Sequence, residues 1–296
     1  MLSGWLYTFS LLTYIFASLS IITLWFPRIR QVPLWWGFLL FTVIFALTGR
    51  VIQWPVLVPL VYLGGACYLF ELQKNKPQYR LALAAVVALF GLVLIAHNLA
   101  GFDNPELLEY IRVSRDSFMM PFYYSFDKAL VGILVLGLTH QVISSRAEFV
   151  KVLIKTLRPT LLLLALLIVI SLGMHFIIVD PKWPGLTIVL RITVSIFIGS
   201  FAEEVYFRGF IQKNLTEYLS SINYGYLISI FVTALFFGLL HIGGGLQYFL
   251  LTSIAGAGFG WIYHKTQRVE ASILTHAAVN IGNFLLFTYP FLLSRS

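Results

Sequence analysis

The chain has 296 residues, 59% of them hydrophobic and only 11% charged, with a mean hydropathy of +0.88. This balance excludes a water-soluble domain, which has nowhere to bury so much apolar surface. The net charge of +8 does not indicate nucleic acid, because the basic residues are spread over short inter-helix loops without a basic, aromatic-interleaved surface.

Apolar runs of about 17 to 25 residues recur along the chain, each long enough to cross a hydrocarbon core of roughly 30 Å as a helix. Gly4 to Phe26 is too long for a signal h-region and has no basic residue before Arg28, so it reads as the first span. Further spans are expected near 34–49, 54–72, 81–99 and 127–144. Five more follow near 159–179, 186–208, 224–241, 246–263 and 272–291. The expected fold class is all-α, a polytopic transmembrane helix bundle of about 8–10 spans. Phe102 to Asp127 is polar with aromatic patches and is no span, and Ser144 to Arg158 alternates apolar and basic residues like a cytoplasmic interfacial helix. That segment divides an N-terminal unit of about five spans, residues 1–144, from a unit over 145–296 that holds nearly all the chemistry-capable residues. Cys67 has no partner cysteine in the chain and reads as a packing residue.

Lys and Arg alternate between loops. Arg28, Arg30, Lys74, Lys76, Arg80, Arg146, Lys151, Lys155, Arg158, Arg208, Lys213, Lys265 and Arg268 fall in or beside odd loops. The opposite set is Arg50, Arg112, Arg115, Lys128, Lys182 and Arg295, so odd loops are expected in the cytoplasm. Arg191, inside a span, is expected to snorkel to the outer end.

Ionisable side chains inside the bilayer are costly and mark candidate sites. Phe201-Ala-Glu-Glu-Val-Tyr-Phe-Arg-Gly209 ends the seventh span with two carboxylates and an arginine. Glu204 and Arg208 share a helix face, whereas Glu203 is rotated by about 100° and is placed to serve as a general base. The competing reading is an interfacial salt bridge. Phe237-Gly-Leu-Leu-His241 closes the eighth span before a glycine run, and His241 is either a site residue or a helix cap. His276 and Asn280 stand one turn apart on the last span and suit an oxyanion hole, or else glue two helices together. Together these residues supply what amide hydrolysis needs.

Glu-Glu-x-x-x-Arg, Phe-x-x-x-His and His-x-x-x-Asn in this order resemble the three motifs of the CAAX protease and bacteriocin-processing family, over roughly residues 155 to 290. The resemblance implies an intramembrane endopeptidase, with the catalytic core in the C-terminal half. In it Glu203 and His241 activate water, His276 and Asn280 stabilise the oxyanion, and Glu204, Arg208 and Phe237 support them. It implies a peptide or membrane-associated protein substrate within the lipid bilayer, prenylated CAAX proteins for some members and bacteriocin processing or self-immunity for others. No cofactor is expected. The alternative is zinc on Glu203, His241 and His276, weighed against by the absence of a His-Glu-x-x-His helix and by Asn280, which a zinc site does not need. The rival function is a non-catalytic immunity or partner-binding protein using the same cavity. A transporter with a proton relay is disfavoured because the polar motifs have no inverted counterpart.

The expected localisation is the inner membrane, with the cavity open to the cytoplasm. One tension follows from straight helices: His241 lies about 25 Å from the start of its span near Tyr224, while Glu203 and His276 lie near cytoplasmic ends. An eighth helix that starts deeper or tilts, or a re-entrant Leu215 to Tyr224 segment lining a water-filled cavity, would relieve it.

Overall fold

The computed structural model describes residues 4–25, 34–73, 76–95, 101–102, 106–111, 120–123, 126–139 and 146–290. Arg28, Arg30, Lys74, Arg112, Arg115 and Arg295 lie outside the described residues, as do the expected span ends at 26, 96–99, 140–144 and 291. The described chain is a succession of helices: α1 (Gly4–Trp25), α2 (Leu34–Thr48), α3 (Leu57–Leu72), α4 (Pro77–Ile95), α5 (Phe126–Leu138) and α6 (Arg146–Gly173). It continues with α7 (Leu186–Glu204), α8 (Lys213–Tyr218), α9 (Gly225–Leu239), α10 (Leu246–Thr266) and α11 (Val269–Leu286). Two small antiparallel pairs complete it, β1 (Glu106–Ile111) with β2 (Met120–Tyr123), and β3 (Ile178–Val179) with β4 (Phe287–Thr288).

Among the described residues, Trp54–Leu72, Glu148–Gly173 and Leu186–Tyr218 are long and apolar enough to cross a membrane, and Thr8–Leu24, Leu34–Thr48, Tyr79–Gly91 and Gly225–Leu239 are shorter apolar helices. Their surfaces suit lipid. Leu157, Leu161, Leu162, Leu166 and Val169 are all exposed on α6, an apolar strip that a soluble monomer rarely shows. Hydroxyls inside the helices bond to the preceding turn, Thr13 Oγ1 to Phe9 O at 2.9 Å and Thr42 Oγ1 to Phe38 O at 2.7 Å, so they enter the bilayer satisfied.

Two expectations are corrected. The interfacial helix and the sixth span are one helix, α6, with Pro159 inside it; the proline removes a single backbone hydrogen bond, which a long apolar helix tolerates. The seventh span does not end at 208. A π-helix, Val205–Gln212, carries the backbone past Gly209 into α8, and its wider turn keeps the carbonyls bonded where a glycine would otherwise weaken the helix. The segment 102–127, expected to be no span, contains the β1–β2 pair.

The contacts divide the chain into two compact units, Met1–Pro105 with Ser125–Glu148 and Phe201–Ile211, and Glu106–Tyr124 with Phe149–Ser200 and Gln212–Ser296. In the first unit α5 is central. Every residue in it except Lys128 is buried, and at 13 residues it is only about 20 Å long. Phe16 packs against Phe38, Phe41 and Phe45 at 5.2–6.0 Å to join α1 to α2. Gly132 of α5 lets the chain at Phe201 and Ala202 approach, since a Cβ there would lie 3.0 Å from Ala202 Cα. Phe70 meets Phe210 edge-on at 5.1 Å, and the Tyr206 hydroxyl donates to Ala88 O.

In the second unit α9 and α10 lie in close contact. Gly238 faces α10 so tightly that an added Cβ would overlap Ser253 Oγ and stand 2.9 Å from the Phe249 carbonyl. Gln212 Nε2 donates to Gly260 O at 2.9 Å, Ser272 Oγ to Phe259 O at 3.0 Å, and Thr160 and Thr275 share a 2.7 Å hydroxyl bond that ties α6 to α11. Small residues and interhelical hydrogen bonds hold helices where lipid supplies no hydrophobic drive. Ile192 and Ile196 of α7 pack on Ala277 of α11.

Gly238→Ala is expected to lower the stability of the detergent-solubilised protein by about 1–3 kcal/mol, read as a fall in thermal midpoint. Gly65→Ala, where nothing lies within 4 Å of the added Cβ, is expected to leave the midpoint unchanged.

Candidate active site

The two glutamates differ in their partners as their helical positions require. Glu204 and Arg208 are fully buried; Nη1 donates to Oε1 at 3.2 Å and Nε lies 3.1 Å from Oε2. Arg208 thus donates one hydrogen bond to Glu204 and lies in ion-pair contact with its other oxygen across the junction between α7 and the π-helix, a pairing that suits a guanidinium. Glu203 turns elsewhere: its Oε1 accepts a hydrogen bond from Lys128 Nζ of α5, with side-chain exposures of 7% and 16%. The Asp127 carboxylate accepts the Lys128 backbone N–H at 2.8 Å, satisfying a donor at the start of α5.

This pair corrects the loop-charge assignment. Lys128 was expected at the outer end of the fifth span and Glu203 near the cytoplasmic end of the seventh, yet they are in contact. Charge counting treats each apolar run as a full crossing, and α5 is a short buried helix to which that rule does not apply. Sequence reasoning missed Lys128 for the same reason, although an Asp-Lys pair opening a buried apolar run is itself an intramembrane ionisable signal. Arg191 is exposed on α7.

In the second unit Phe237 is a hub. Its ring is 2% exposed and lies 5.0 Å from the His241 ring, 5.6 Å from the His276 ring and 6.1 Å from Phe259. His276 stacks on Phe259 at 4.7 Å and 17°, and His241 meets Tyr248 edge-on at 5.3 Å. Both imidazoles therefore lie against one phenylalanine. His241 Nδ1 bonds the Phe237 carbonyl at 2.9 Å. A carbonyl only accepts, so in the neutral ring Nδ1 carries the proton and Nε2 the lone pair.

Asn280 follows His276 by one turn on α11 and is exposed, while His276 is 5% exposed. Phe259 and Tyr248 were not singled out from sequence; Phe259 had a signal, as a lone aromatic within Ala255-Gly-Ala-Gly-Phe-Gly260. The re-entrant segment expected over Leu215 to Tyr224 is the end of α8 and a hydrogen-bonded turn, with Leu219 N on Leu215 O at 2.9 Å and Tyr224 at φ +60°.

Among the described residues no three of His, Cys, Asp and Glu are grouped to hold a metal ion. The Glu203 carboxylate, one of the three residues weighed for zinc, is paired with the Lys128 ammonium, and no step is derived through zinc.

Residues 185–282 match the family described as Type II CAAX prenyl endopeptidase Rce1-like. This segment, about a third of the chain, contains all three motifs, and over it the chain is similar to the CAAX protease family. No curated protein and no solved structure matches it.

Arg208→Met, which leaves the buried Glu204 without its cation, is expected to cost about 3–5 kcal/mol of stability. Adding Glu204→Gln should recover a large part of the loss, as measured by thermal unfolding of the two purified variants.

Proposed function

We propose that the chain cleaves a peptide bond near the membrane surface by metal-free hydrolysis. The observation that carries this reading is the family match over 185–282, since it takes in Glu203, His241, His276 and Asn280 together. Glu203 takes a proton from water and the oxygen attacks the carbonyl carbon. His241, with its lone pair on Nε2, orients that water. The negative charge that develops on the carbonyl oxygen is met by donors from His276 and Asn280, one turn apart on α11. The C–N bond then breaks and the proton passes to the leaving amine. Glu204 and Arg208 hold the helix that carries Glu203, and Phe237 keeps the imidazoles apart and oriented.

The substrate is a peptide or membrane-associated protein, and the family's name makes a prenylated CAAX C-terminus the first to test. In this reading the site faces the cytoplasm and the protein sits in the inner membrane. A fluorogenic peptide ending in a farnesylated cysteine and three further residues, beside the same peptide without the lipid, is the probe in proteoliposomes. Glu203→Gln is expected to lower cleavage by about 10²–10⁴-fold, and Asn280→Ala by about 10²–10³-fold. Wild-type rates in Glu203→Gln would remove Glu203 as the base, whereas no cleavage of either probe by the wild-type protein would leave the non-catalytic, partner-binding reading in its place.

Exhaustive treatment with a zinc chelator is expected to leave cleavage of the same probe unchanged. Loss of activity restored by added zinc would reverse the metal-free assignment.

A further inference from the structure

We infer that Tyr248 is a positioning residue for His241: its ring braces the imidazole at right angles, so that the side chain proposed to orient the water keeps one direction although it stands beyond the end of its helix. This rests on the proposed role of His241 and deepens it.

The backbone leaves α9 at this residue. His241 N–H bonds the carbonyl of Gly238, three residues back, at 2.8 Å, and its φ of −104° and ψ of 4° lie outside the helical range. Ile242 and then Gly243 to Gly245 follow, a stretch whose glycines add no side chain to hold the imidazole. Gly245, at φ +96° and ψ 169°, turns the chain into α10, whose third residue is Tyr248. The turn is fixed by Gly244 N–H on His241 O at 3.0 Å, Gly245 N–H on Ile242 O at 2.8 Å and Phe249 N–H on Gly245 O at 3.0 Å. It brings the Tyr248 ring edge-on to His241, with centroids 5.3 Å apart and 89° between the planes. The Phe237 ring meets the same imidazole at 5.0 Å and 42°, and Nδ1 bonds the Phe237 carbonyl at 2.9 Å. Rings at two inclinations, together with that bond, oppose swinging of the imidazole about its side-chain torsions. Tyr248 is itself anchored: it stacks on Phe176 at 5.8 Å and 17° and packs on the cluster of Phe176, Ile177, Leu251 and Phe287. Phe287 lies in β4, paired with Val179 of β3, and its carbonyl accepts from Lys182 Nζ at 2.8 Å. A brace locked by its own packing is what a reacting side chain on an irregular turn requires.

The test uses full-length protein in proteoliposomes with the farnesylated and unlipidated probes. Tyr248→Ala is expected to lower kcat on the order of 10²-fold with KM little changed, as for a reacting group misplaced by about 1 Å. Tyr248→Phe, which keeps the ring, is expected to retain most of the wild-type kcat. Rates are read well below each variant's thermal midpoint, on protein with wild-type circular dichroism and gel-filtration behaviour. If Tyr248→Ala does not fold, Tyr248→Leu, which keeps apolar bulk on the Phe176 cluster but puts no ring against His241, takes its place. Independently of turnover, solid-state NMR of protein isotopically labelled at histidine nitrogen, at a pH where the ring is neutral, is expected to show His241 as a single tautomer protonated on Nδ1 in the wild type and as a mixture in Tyr248→Ala or its Leu substitute. The His241 resonances are identified by their absence in His241→Gln.

Wild-type kcat in a folded Tyr248→Ala or Tyr248→Leu protein, with His241→Ala inactive, overturns this inference and leaves the proposed function standing. A loss in Tyr248→Phe equal to that in Tyr248→Ala, which would assign the effect to the hydroxyl, overturns it as well, as does an unchanged tautomer in the variant without the ring. Wild-type cleavage by His241→Ala, or no cleavage of either probe by the wild type, removes the role proposed for His241 and this inference with it.

Discussion

Two carboxylates side by side on a helix in a low-dielectric interior repel each other and lose their hydration, and the first unit answers both costs with two cations. Arg208 meets Glu204 within its own helix, and Lys128 meets Glu203 from α5. Much of the local architecture follows from these pairings. The segment Phe201–Ile211 groups with the N-terminal helices, Gly132 admits it to the flank of α5, and the π-helix keeps the backbone bonded where the chain must present Glu204 and Arg208 to each other. Removing either partner of such a pair leaves a charge that neither lipid nor packed side chains can solvate.

The second unit is organised by packing rather than charge. Its polar groups are few and mostly satisfied along helices, and its cluster of rings is built around Phe237. The spacing Phe-x-x-x-His then has a local meaning: residue i supplies the carbonyl that fixes the tautomer of the imidazole at i+4, while its ring separates that imidazole from His276. Small residues along α10 let the helices come near enough for a ring from each of α9, α10 and α11 to touch. The chemistry proposed for His241 depends on that tautomer, and the one proposed for His276 and Asn280 on their shared face of α11.

Much of this was legible in the sequence. Uninterrupted apolar runs gave helices close to where they occur, because in lipid the backbone has few other ways to satisfy its hydrogen bonds. The i, i+4 relation of Glu204 and Arg208 is a property of one helix and needs no tertiary knowledge. Pro159 and Gly209 misled, since both suggest helix ends in water, whereas a bilayer penalises breaking the helix more than it penalises keeping a proline or a widened turn. The depth assigned to Lys128 misled for another reason: a run of apolar residues looks the same whether its neighbours are lipid or protein.

The sequence by itself determined that the chain is a helical membrane protein and which carboxylate, imidazole and amide side chains are candidates for its chemistry, because hydropathy and helical periodicity are local properties. Only the tertiary structure decided which cation meets Glu203, that α5 is a buried helix at the centre of its unit, and that His241 and His276 meet at Phe237. Those facts depend on contacts between residues 75 positions apart in the case of Lys128 and Glu203, and no local pattern encodes which faces of two helices will come together.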